Sequence, residues 1–211
     1  MKRRTFDVLA SAVGLVLAAL LLVAGGLLTW AHSFVQDEVH SQLAAQKIYF
    51  PSASDPQLKL PEFAAVRQYA GQQLTTGDQA QVYADHYIAN HLNTIGGGQT
   101  YAQLSAKAQT IPNDAKLADQ VQTMFRGETL RGLLLNAYAF GKMGYIAGIA
   151  AIVAFVGGGL LLVFGGLGFW HARRVPRDAE LLGKHGNGPR PNPDVPWRTV
   201  TWRLRGGKVD L

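Results

Sequence analysis

Two uncharged apolar runs, residues 8–30 and 145–170, constrain this chain more than any other feature. Each exceeds the 18 or so consecutive apolar residues that mark a transmembrane helix. At about 1.5 Å per residue they would reach about 34 and 39 Å, against a hydrocarbon core of about 30 Å. The expectation is a two-pass membrane protein. Residues 1–7 form a short N-terminus, 8–30 a first span, 31–142 a polar segment, 143–170 a second span and 171–211 a tail.

Charge orients the chain. Lys2, Arg3 and Arg4 precede the first span with only Asp7 opposing them, and His171, Arg173 and Arg174 follow the second. The intervening segment is nearly neutral, with eight Lys/Arg against nine Asp/Glu, whereas residues 171–211 hold nine against four. The positive-inside rule then predicts cytoplasmic termini and an extracytoplasmic segment 31–142, in a plasma membrane. A cleaved signal peptide is the competing reading of residues 8–30. Its apolar core would be overlong, and Trp30 beside Ala31-His32-Ser33 suits an interfacial anchor better than a cleavage site.

The net charge of +6 is explained by topology and anionic headgroups, because the excess sits in the tails; no nucleic-acid partner is expected. There is no cysteine, which excludes disulfides, thiolate metal sites and cysteine nucleophiles. The tail after Arg174 is rich in Pro and Gly and reads as unstructured. Its end carries Trp197 and Trp202 among cations, a pattern suited to headgroups or a cytoplasmic partner.

The outer segment reads as four helices. One leaves the membrane with Val35, Val39, Leu43 and Phe50 on a face and stops at Pro51. Residues 51–60 read as a linker. A second helix starts at Pro61 and buries Phe63, Val66, Ala70 and Leu74. A third is capped by Asp78, carries Ala80, Ala84, Ile88, Leu92 and Ile95, and stops at Gly96-Gly97-Gly98. After a looser stretch over 99–112, Asn113 or Asp114 caps a fourth, which carries Leu117, Val121, Met124 and Phe125 into the second span. The predicted class is all-α: two transmembrane helices continuing into an extracytoplasmic up-down four-helix bundle, with little sheet.

Small residues recur at four-residue spacing in both spans: Ala10, Gly14, Ala18 and, past Leu22 in the gap, Gly26 in the first; Ala150, Ala154, Gly158 and, past Leu162 in the gap, Gly166 in the second. Gly144 and Gly148 add a GxxxG. Such stripes allow close helix approach, either between the two spans or with a second copy or other protein partner.

Chemistry-bearing residues are sparse. His86 and His91 lie five apart, some 140° around an α-helix, too divergent to chelate together. His91 falls on the apolar stripe and reads as a hydrogen-bonded core histidine. His32, Gln36 and His40 share a face that would hold a metal only with a carboxylate from elsewhere. The run Arg126-Gly127-Glu128-Thr129-Leu130-Arg131 is the most informative. The stripe of Leu117, Val121 and Met124 continues through Glu128 and Arg131, an acid and a base three apart. Together with Arg126 and His91 they form the candidate structural or partner site. The pair is open to three readings: solvated, buried as a structural pair, or part of a ligand site. No cofactor is implied.

Several stretches resemble an uncharacterised actinobacterial family of two-pass membrane proteins. They are Arg4-Thr5-Phe6-Asp7, Ala24-Gly25-Gly26-Leu27-Leu28, Tyr69-Ala70-Gly71-Gln72, Leu74-Thr75-Thr76-Gly77, Tyr83-Ala84-Asp85-His86-Tyr87-Ile88-Ala89 and Phe125-Arg126-Gly127-Glu128-Thr129-Leu130-Arg131-Gly132. The likeness covers residues 1–174 and implies no activity. Some chains of this kind carry an aromatic ring-opening dioxygenase label. A non-haem iron site needs two His and a carboxylate converging, which the histidine spacing here does not offer. The expected function is that of a non-enzymatic envelope protein whose outer domain is an interaction or accessory module. A sensor or signal-transmitting module is the alternative, and a metal-dependent enzyme using His40, His86 or His91 is the third reading.

Overall fold

The structure, a computed structural model, describes residues 3–174. The tail with Trp197 and Trp202 lies outside these residues. The described chain is helical and has no strand; its one β feature is an isolated antiparallel bridge between Tyr49 and Gln73. Two helices dominate, α1 (Arg3–Ala45) and α5 (Ala115–Arg174), of about 65 and 90 Å at 1.5 Å per residue. Both are long and apolar enough to cross a membrane.

α1 and α5 run antiparallel along most of α1. Their seam repeats every seven residues. Ser11, Ala18, Gly25 and Val39 are buried on α1, with half-buried His32 completing the series. Gly144, Ala151, Gly158, Gly165 and Ala172 are buried on α5. Seven residues is two turns less about 20°, so a strict heptad keeps one face inward when the helices supercoil. A four-residue step advances 400°, and a stripe built on it drifts off the seam. That corrects the small-residue prediction in part. Gly144, Gly148, Ala154, Gly158 and Ala18 lie at the helix contact. Ala10 is exposed, and a Cβ added at Gly14, Gly26 or Gly166 would meet nothing within 4 Å.

Two polar side chains register the pair where it leaves the apolar run. The His32 Nδ1–H donates to the Gly144 carbonyl at 2.7 Å, and the Gln36 amide donates to the Gly141 carbonyl at 3.0 Å. Glycine at 141 and 144 leaves those carbonyls reachable. The face predicted as a weak metal site is thus turned into α5, with His40 left exposed.

Beyond the seam the expected rods change. α1 stops at Ala45 rather than at Pro51, because Lys47 adopts a left-handed φ of 53° and β-prone Ile48-Tyr49-Phe50 follows. The second predicted helix is a strap of three 3₁₀ turns, Pro56–Lys59, Pro61–Phe63 and Arg67–Tyr69. Its apolar residues Phe63, Val66 and Leu74 are buried as the spacing implied, but the backbone pairs elsewhere. Phe50 N–H donates to Gln72 O, Gly71 N–H to Pro51 O and Leu74 N–H to Ile48 O, and Gly71 takes a φ of 72°. Three rods and a strap therefore stand where four rods were expected.

The next rod comprises α2 (Gly77–Val82), a π-helical turn (Tyr83–Ile88) and α3 (Ala89–Gly96). Thr76, not Asp78, caps it, through a reciprocal capping box with Gln79. It runs antiparallel to α5, and the contact starts backbone to backbone. A Cβ at Gly77 would lie 3.2 Å from the Ala137 carbonyl, and one at Gly141 3.4 Å from Gly77 Cα. Gly97 ends α3 with a φ of 59°, as the triple glycine implied. The stretch predicted to be loose folds as α4 (Tyr101–Thr110), launched by a second capping box of Thr100 and Gln103. Asp114 caps α5 by accepting from Leu117 N–H at 3.0 Å. The core joins Val39 and Leu43 of α1 to Phe50, Leu58 and Leu74 of the strap, Ala84, Ile88 and Leu92 of the middle rod, Leu104 of α4, and Leu117, Met124 and Leu134 of α5.

Candidate functional site

Arg131 is the hub between α5 and the π-helical turn. A π turn carries about one extra residue, so it rotates everything after it relative to an α-helix. Here Ala89 N–H reaches back to Ala84 O across five residues, and the Ala84 carbonyl also accepts from Arg131 Nε at 3.1 Å. Arg131 Nη2 pairs with Asp85 at 3.2 Å and Nη1 with Glu128 at 3.0 Å. The side chains are 26% exposed for Arg131, 35% for Asp85 and 42% for Glu128. The sequence placed Glu128 and Arg131 together, and the structure does so. The dominant cross-element partner, Asp85, was not anticipated. Glu128 faces solvent, so the fully buried reading does not hold. Arg126 is exposed.

His91 belongs to a separate aromatic row. Tyr83, Tyr87 and His91 follow one another at four-residue spacing, with ring centroids 4.8 and 4.5 Å apart. Phe50 packs edge-on to Tyr83, and Phe63 packs against both Tyr87 and His91. The His91 Nδ1–H donates to Tyr87 O at 2.8 Å, which agrees with the hydrogen-bonded core reading, although the ring is half-buried. Burial, reinforced by neighbouring Tyr87, pushes the Tyr83 phenol up to about 12. Burial and then Asp55 raise Tyr87. Both rings stay neutral donors at ordinary pH. Among the described residues no three His, Asp or Glu side chains gather closely enough to hold a metal.

His91 and Asn90 line a shallow cleft with Glu62, Phe63 and Asn93. The Asn90 amide already donates to Glu62 O and His86 O, so it ties the strap to the helix.

A more apolar concavity lies between the two long helices. A groove of about 470 Å³ runs between α1 and α5, floored by Val39, Leu43, Leu134 and Ala137 and walled by Phe34 and Phe140. Its polar atoms come from Glu38, Gln42, Gln46 and Asn136. Glu38 and Gln42 hydrogen-bond to each other along the rim. Leu133, at the groove's edge, is 61% exposed and Phe140 is 55% exposed. Large apolar side chains thus stand open beside a concave apolar floor. On the side of α5 that faces α2, Lys142 pairs with Asp78 at 2.9 Å and lies over Tyr138 and Tyr145. The hydrogen bond to Asp78 raises its pKa, so it remains a cation there.

Comparison with protein-family models, curated proteins and solved structures returned no match to this chain.

Proposed function

We propose that this chain is a two-pass membrane protein of the cell envelope, with both termini cytoplasmic, whose outer domain is a non-enzymatic interaction module contacting its ligand or partner along the α1–α5 flank. The observation that carries this is the exposed apolar surface. Only 17% of the most apolar window of each long helix is buried, whereas a core helix of a soluble protein is mostly buried. Leu27 and Ile152 are 64% and 65% exposed, which water disfavours and lipid does not. The antiparallel pairing brings Ser11 beside Gly168, so the start of α1 and the end of α5 that carries Arg173 and Arg174 lie on one side, in support of the positive-inside reading. Trp30 at one end of the apolar run and Trp170 under Arg174 at the other suit the two interfaces. The first helix continues unbroken to Ala45 and joins the outer core, which favours a retained anchor over a cleaved signal.

The uninterrupted α5 supports a second reading, signal transmission, because it links the Arg131 hub directly to the second span. The two readings share the outer contact surface.

Mild crosslinking in native membranes followed by affinity isolation tests the module reading. Wild type is expected to co-isolate a bound component that is lost when Leu133 and Phe140 are both changed to Gln. Unchanged recovery from the double variant would remove the flank as the contact surface.

A further inference from the structure

We infer that the groove between α1 and α5 holds a single aliphatic chain of a membrane lipid, drawn from the outer leaflet; this rests on the membrane-spanning reading above. The position of the groove argues for this occupant. Its lower wall, Phe34, stacks on Trp30 at a centroid distance of 5.6 Å, and Trp30 closes the first apolar run. On α5, Phe140 lies five residues before Tyr145, where the second run begins. The groove then extends outward to Gln46 and Leu130. At 1.5 Å per residue, the twelve residues from Phe34 to Gln46 cover about 18 Å. An acyl chain can therefore slide from the lipid-facing surface into the groove without crossing water.

The chemistry of the lining fits a chain rather than a polar solute. Every floor residue is aliphatic, and the walls are phenylalanine rings. Polar groups are confined to Glu38, Gln42, Gln46 and Asn136. No Lys or Arg lines the groove, and its single ionisable lining residue is the acidic Glu38. A phosphate-bearing anionic head gains nothing there, whereas amide and carboxylate acceptors suit a hydroxyl, amine or zwitterionic head. A groove of about 470 Å³ between two antiparallel helices, open along one side, takes one chain and not a bilayer fragment.

The test uses full-length protein reconstituted in phosphatidylcholine vesicles containing a phosphatidylcholine with a diazirine at the end of one acyl chain. After photolysis, adducts are mapped by peptide mass spectrometry. Adducts within residues 8–30 and 145–170 report insertion of the spans. Adducts at Leu133, Leu134, Val39 or Leu43 report a chain in the groove, and both sets are expected. Leu133→Lys should lower groove labelling about tenfold or more, given the unfavourable placement of an ammonium among acyl carbons. Its span labelling should be unchanged, which also shows that the variant folds and inserts. Substituting a phosphatidylglycerol probe of the same chain should weaken groove labelling relative to the spans. Span labelling with none in the groove would overturn this inference alone. Absence of labelling in the spans would overturn the membrane reading itself. A Leu133→Cys variant, in a chain with no other cysteine, separates a covering second copy. Efficient disulfide formation between copies through that residue would assign the groove to a dimer and overturn the lipid proposal.

Discussion

At the scale of the residue, Arg131 ties the middle rod to α5 through three contacts of unequal worth. Its bond to the Ala84 carbonyl and its pair with Asp85 are half-sheltered, while Glu128 is more open to solvent. Partly exposed pairs are worth about 0–1 kcal/mol, and a net hydrogen bond about 0.5–1.5 kcal/mol. Arg131→Met should therefore cost about 1–2 kcal/mol, Glu128→Gln no more than about 0.5 kcal/mol, and the double variant about the same as Arg131→Met alone. Denaturation of the purified protein followed by circular dichroism would measure this. A buried pair would behave differently, each single change costing about 3–5 kcal/mol and the double recovering much of it. That pattern would contradict the geometry. The proximity of Glu128 and Arg131 was legible in a three-residue spacing. Asp85 was not, because its orientation depends on a π turn that no periodicity argument over Tyr83–Ile88 encodes.

At the scale of the element, the sequence signals that served best were stops and caps. Gly97 ends α3 and Asp114 caps α5, each for reasons local to a few residues. Two further caps were readable as Thr-x-x-Gln at Thr76–Gln79 and Thr100–Gln103, the capping-box pattern; the second would have revealed α4. The second rod failed because burial periodicity at Phe63, Val66 and Leu74 does not specify the backbone that delivers it. There Gly71 and the carbonyls of Ile48 and Gln72 decide the outcome. The α1–α5 seam makes a sharp contrast between adjacent glycines. A Cβ at Gly165 would approach Leu15 Cδ2 to 2.8 Å and the Ser11 carbonyl to 3.4 Å, while one at Gly166 meets nothing within 4 Å. Gly165→Leu should destabilise the helix pair by about 1–3 kcal/mol, as overpacking does, and Gly166→Leu should be close to neutral. Thermal unfolding in one detergent, compared across the two variants, reads the difference. Equal losses would place the seam elsewhere.

At the scale of the whole molecule, the heptad seam, the exposed apolar surface and the domain built on residues 31–142 form one continuous object. α5 carries the second apolar run, the Arg131 hub and one wall of the groove without a break. The two runs were legible in composition alone, because an uncharged apolar run of this length matches a bilayer and exceeds an ordinary buried core segment. Which face of each helix pairs was not, since abundant Ala and Gly offer several candidate stripes and only packing selects one. In the proposed topology the chain crosses a membrane twice with residues 31–142 outside. Its lack of cysteine makes a direct test clean. Single cysteines are placed at exposed Gln99, between α3 and α4, and at exposed Thr5, near the start of α1, and intact cells are treated with a membrane-impermeant maleimide. Gln99→Cys should label in intact cells, and Thr5→Cys only after the membrane is permeabilised. Labelling of Thr5→Cys in intact cells, or of Gln99→Cys only after permeabilisation, would contradict the account.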